Sequence, residues 1–119
     1  MTTPEIDAII SHIVDKYQLW KVQNHEYIKS IEEDNKTRRY RIKIQHTIQT
    51  KGGRAIGDWR LSLFLEAHGL NWVYPFGTIT LNLEDPALID KIENLLDKIF
   101  SAKDYEAAGK VFKKLHIKQ

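Results

Sequence analysis

From Thr37 to Lys51 the chain reads TRRYRIKIQHTIQTK. The even positions Arg38, Tyr40, Ile42, Ile44, His46 and Ile48 are mostly apolar or aromatic, and the odd positions are all polar. A period of two over this length predicts a strand with one face in a core and one in water. DWRLSLFLEA repeats the pattern, with Trp59, Leu61, Leu63, Leu65 and Ala67 inward and Arg60, Ser62, Phe64 and Glu66 outward. HGLN closes a hairpin, and WVYPFGTITLNL returns with Ile79, Leu81 and Leu83 inward. Pro75 has no N–H for a ladder, so this strand starts at an edge or a bulge, or only from Phe76. LWKVQNHEYIKSIEE mixes two parities: Trp20, Val22 and Ile28 fall on one, Tyr27 and Ile31 on the other. A bulge or bend near Asn24-His25 reconciles them within one strand, and EDNK turns the chain into the next.

The period changes at both ends of the chain. Thr3 suits an N-cap, Pro4 the first helical position and Glu5 the positive end of a helix dipole. Ile6, Ile9, Ile10, Ile13 and Tyr17 then form a helical stripe. In DPALIDKIENLLDKIF, Asp85 is the expected N-cap and Pro86 the first helical residue. Leu88, Ile89, Ile92, Leu95, Leu96, Ile99 and Phe100 follow at helical spacing. After SAKD, a last helix places Tyr105, Ala108, Val111, Phe112 and Leu115 on one face. The predicted fold is α+β, in the order α-β-β-β-β-α-α. A four-stranded antiparallel meander has the N-terminal helix and two C-terminal helices packed on one face, leaving the other open. No repeat, low-complexity tract or linker divides the chain, so residues 1–119 read as one domain.

Composition excludes several classes. With 42% hydrophobic and 29% charged residues the chain is not disordered, and without cysteine it holds neither disulfides nor thiolate metal sites. The start lacks a basic n-region, and no run reaches the roughly 18 apolar residues of a membrane span. A cytoplasmic, soluble protein with no membrane contact is expected. The net charge of +2 conceals segregation: residues 36–60 hold eight basic side chains against one acidic, Asp58. Such clustering makes a local field that the average hides.

That charge falls on the outward parity. Arg39, Arg41 and Lys43 from the second strand and Arg60 and Phe64 from the third are expected on the open face. Trp72, Tyr74 and Phe76 join them if pairing of the fourth strand begins early; otherwise they curl over an end of the core, since Pro75 breaks the regularity. Cations attract phosphates and flat rings stack on bases, so the face suits single-stranded nucleic acid or another polyanion. At its end Lys51-Gly52-Gly53-Arg54 brings two cations beside glycines that permit close anion approach. The same residue types anchor protein interfaces, either with a partner or with a second copy as a homodimer. A plainer explanation is a solvated face that blunts aggregation, with Glu26 opposite Lys43 neutralising part of the row.

Catalysis is not expected. His12, His25, His46, His68 and His116 form no metal-ligand pattern, and no serine sits in a nucleophile elbow. The one conceivable acid–base pair is Glu66 and His68, near Arg60. No cofactor or metal is called for. The sequence therefore predicts a small non-catalytic binding or regulatory protein, foremost a protein-interaction module, with nucleic-acid binding through the same face as the alternative.

Overall fold

A computed structural model describes residues 3–117, with side chains for residues 4–47, 52–54 and 59–115. The elements are α1 (Thr3–Lys16), β1 (Trp20–Gln23), β2 (Glu26–Glu33), β3 (Lys36–Lys51), β4 (Arg54–His68), β5 (Val73–Asn82), α2 (Leu88–Ser101) and α3 (Tyr105–Ile117). The strands form one antiparallel sheet in chain order. The class is α+β as expected, but the described residues form five strands rather than four. The stretch with mixed parity is a hairpin, β1–β2, turned at Asn24-His25 with His25 at φ +66°. Two strands meeting at a turn resolve what a single bulged strand was expected to resolve. Trp20 pairs with Ile28 on one face, while Tyr27 pairs with Ile42 on the other.

Two-residue hairpin loops match the twist of the sheet when both central residues have positive φ. Asp34 and Asn35 meet that demand at +50° and +64°, and Gly52 and Gly53 at +58° and +80°. The Gly-Gly pair is thereby explained by the turn it makes.

The inward parity is the expected one. Tyr40, Ile42, Ile44, Leu61, Leu63, Leu65, Ala67 and Ile79 are each at most 1% exposed, and they share a core with Ile6, Ile13, Ile92, Leu96 and Phe112 of the helices. Burying each such aliphatic side chain contributes about 1.5–3 kcal/mol. Polar contacts fasten the helices at their ends. The Tyr17 hydroxyl donates to Asp97 Oδ1 at 2.7 Å, and burial followed by that carboxylate pushes its phenol above the ordinary range. Arg38, on the inward parity, donates to the Lys103 carbonyl at 2.6 Å. The Arg39 N–H donates to the Tyr105 hydroxyl at 2.9 Å. Helix α2 begins at Leu88, later than expected, yet Asp85 Oδ1 still accepts the Ala87 N–H at 2.8 Å.

The β4–β5 ladder contains the feature that decides the site. Leu65 faces Gly77 but Glu66 faces Pro75, so β5 carries one extra residue, Phe76. Proline fits a bulge because it has no N–H to lose. Beyond the bulge the parity of β5 is inverted. Gly77 sits there at φ +135°, with Phe112 Cε1 3.2 Å from where a Cβ would stand. Gly77→Ala meets both a strained backbone and a packed ring, and is expected to cost about 1–3 kcal/mol in urea denaturation.

Candidate functional site

On the face away from the helices, β2, β3 and β4 line up their outward side chains in register. Ile28, Arg41 and Glu66 form one row and Glu26, Lys43 and Phe64 the next. The placement of Glu26 opposite Lys43 is the expected one, with Lys43 Nζ 3.3 Å from Glu26 Oε1. The Gln23 amide first, and Lys43 after it, hold the Glu26 carboxyl below the usual carboxylate range. Arg41 is ion-paired with Glu66, a carboxylate only 4% exposed. Two of the three cations in the expected row are therefore already neutralised by protein carboxylates. Arg39 and the half-buried Arg60 have no carboxylate partner among the described residues.

The loop cations stand apart from that row. Arg54 is exposed at the hairpin tip, and the Lys51 side chain lies outside the described residues. Lys51 lies eight positions beyond Lys43 along β3, about 25 Å at the rise of a strand. The structure does not bring the loop and the row into one site.

The three rings of the expected fourth strand are not on the open face. Trp72, Tyr74 and Phe76 lie on the helix side of the sheet, because the bulge inverts β5 before they are reached. Phe76 packs 6.1 Å from the rings of both Tyr40 and Phe112. Trp72 meets Tyr105 of α3 edge to face at 5.1 Å. Tyr74 and Phe76 both approach the buried Gly109 of α3. Cations and these rings do not share a face; of the expected aromatics only Phe64 remains beside the row, opposite Lys43.

The open face carries other apolar side chains in their place. Six large hydrophobic residues are exposed among those described: Trp20, Val22, Leu70, Trp72, Val73 and Tyr74. They fall into two sets. Trp20, Val22 and Leu70 line an open-face groove of about 620 Å³ whose remaining walls include Ile28, Ser30, Arg39 and His68. Trp72, Val73 and Tyr74 line a second groove, of about 480 Å³, between β5 and α3. Trp20 is 74% and Leu70 92% exposed, an unusual concentration of apolar surface around one arginine. The signal for the first groove was present in the chain as the shared parity of Trp20, Val22 and Ile28. It becomes readable only once Asn24-His25 is a hairpin turn.

The histidines divide between support and groove. His12 Nε2 lies 3.1 Å from Glu93, joining α1 to α2. His46 is half-buried against Trp59, with ring centroids 5.6 Å apart; its Nδ1 has no hydrogen-bond partner among the described residues. His68 lines the open-face groove, whereas Glu66 is buried in its pair with Arg41 and does not line it. The conceivable acid–base pair therefore does not share that groove. No group of three metal-ligating side chains converges among the described residues, and no helix there is long and apolar enough to cross a membrane.

Comparison with protein-family models, with curated proteins and with solved structures finds no match to this chain.

Proposed function

We propose that this chain is a small binding module that docks a protein partner on the open face of its sheet. Trp20, Val22 and Leu70 serve as the apolar anchors and Arg39 as the charged contact. The observation that carries this reading is the concentration of exposed apolar side chains around one cation, on a face that no described element of the chain covers. Aromatic and arginine anchors dominate protein interfaces. The segment that fits is one with an apolar side chain to enter between Trp20 and Leu70 and a carboxylate to meet Arg39. Polyanion binding is less favoured, since Arg41 and Lys43 are engaged with Glu66 and Glu26 and the rings expected to stack on bases pack against α3.

Photo-crosslinking tests the reading. With a benzophenone side chain replacing Ser30 on the groove wall, a discrete protein adduct is expected in cells, lost when Leu70→Asp or Arg39→Glu is added. Sedimentation of the purified chain distinguishes a second copy from a different partner. Labelled oligo(dT) supplies the contrary arm. Binding that falls steeply with salt and is lost with Arg39→Gln, without any protein adduct, would transfer the site to nucleic acid.

A further inference from the structure

We propose that the groove between β5 and α3 is a separate binding site for a small, flat, apolar anion, of the class of aromatic carboxylates. Its volume of about 480 Å³ lies within the roughly 300–1,000 Å³ of small-molecule pockets. Three aromatic rings shape it. Trp72 and Tyr105 meet at 5.1 Å and 83°, forming a corner, and Tyr74 continues the wall along β5. Gly109 forms the floor with the rings packed against it: a Cβ there would stand 3.8 Å from Tyr74 and 3.5 Å from Phe76, in ordinary contact with both. A longer side chain would press into those rings and displace the wall they form.

The charge of the rim selects the ligand. Lys110 and Lys113 both line the groove, against one carboxylate, Glu106, which already sits 3.3 Å from Lys110. Lys113 has no ion pair among the described residues and is exposed. Three rings with a carboxylate would otherwise resemble a cage for a quaternary ammonium, but an excess of positive charge repels a cation and favours an anion.

The edge of the sheet limits the ligand's size. An extended peptide adding to β5 needs a regular row of N–H and C=O groups. Pro75 has no N–H, and the bulge at Phe76 interrupts the row beside it. What remains is a pocket for a molecule of ring size rather than a seat for a strand. It is lined by none of the residues of the open-face groove, so either site can fail independently.

2-Naphthoate is the probe, followed in the full chain by the indole N–H resonances of Trp20, Trp59 and Trp72, assigned with single Trp→Phe variants. Saturable shifts of Trp72, with Trp20 unmoved, are expected. Replacing both exposed lysines, Lys110→Gln with Lys113→Gln, removes two surface charge contacts and is expected to weaken binding roughly three- to tenfold. Circular dichroism checks that this variant stays folded. Gly109→Leu is expected to abolish the shifts; should it unfold, the lysine variant decides alone. The proposal is overturned if naphthoate shifts Trp20 instead of Trp72, if removing the lysines leaves affinity unchanged, or if trimethyl-lysine binds the Trp72 site more tightly than naphthoate.

Discussion

Phe76→Ala is expected to lower the free energy of unfolding by about 3–4 kcal/mol, and Phe64→Ala by about 1 kcal/mol. The two phenylalanines fall on the same outward parity when the sequence is read in uninterrupted alternation, and on that reading they would cost alike. The bulge separates them. Phe76 is wedged among Tyr40, Tyr74 and Phe112, with ring centroids at 6.1, 5.7 and 6.1 Å, and Gly109 of α3 lies close behind it. Truncation there leaves a void bounded by three rings and a helix backbone, which rigid neighbours fill poorly. Phe64 stands on the open face beside Lys43 and opposite Thr78, where truncation exposes a strand surface already reached by water. Urea denaturation of the two variants, read as midpoint shifts at constant slope, measures the difference. Equal costs would mean that β5 keeps its parity through Pro75 and that the aromatic groove beside α3 does not exist.

The same bulge marks where sequence reading succeeds and where it stops. Regular alternation in β3 and β4 was sufficient to orient Ile42, Leu63, Arg41 and Lys43, and the helical stripes of α1, α2 and α3 were equally plain. Each of those segments is long, so many residues vote on one phase. The β1–β2 hairpin turns through Asn24 and His25 without glycine or proline, and His25 takes the left-handed conformation that glycine would have advertised. In β5 one inserted residue reverses every side chain before it, and proline alone hints at the insertion without fixing its place. The open-face groove is legible only once the β1–β2 turn is known, because β1 contributes Trp20 and Val22; Leu70 lies in the β4–β5 turn that HGLN already marks. Pairing of charges was partly legible. Glu26 opposite Lys43 follows from counting back from a short turn, whereas Glu66 beside Arg41 requires the register of the long β3–β4 hairpin, whose far end carries its own irregularity.

That second pair gives the other large effect. Arg41→Met is expected to cost about 2–3 kcal/mol, Glu66→Met about 1 kcal/mol or less, and the double replacement no more than Glu66→Met alone. The asymmetry follows from burial. Glu66 is 4% exposed and has nowhere to turn when its partner is lost, while the Arg41 side chain is 39% exposed and reaches water unaided. A buried pair needs both members more than the fold needs the pair. The cost is therefore set below the 3–5 kcal/mol of fully enclosed pairs, because one partner is already part-solvated. A thermodynamic cycle by chemical denaturation measures the coupling; additive single effects would show that the carboxylate is not held by this arginine. The double variant also separates the two meanings of the open face. It removes one positive and one negative charge, leaves the net charge unchanged, and widens the apolar surface beside Ile28 in the same cross-strand row. A protein partner anchored by Trp20, Leu70 and Arg39 should still dock on that variant, and Arg39→Glu should release it. A polyanion attracted by the overall field should respond to Arg39→Glu and be indifferent to Trp20→Ala.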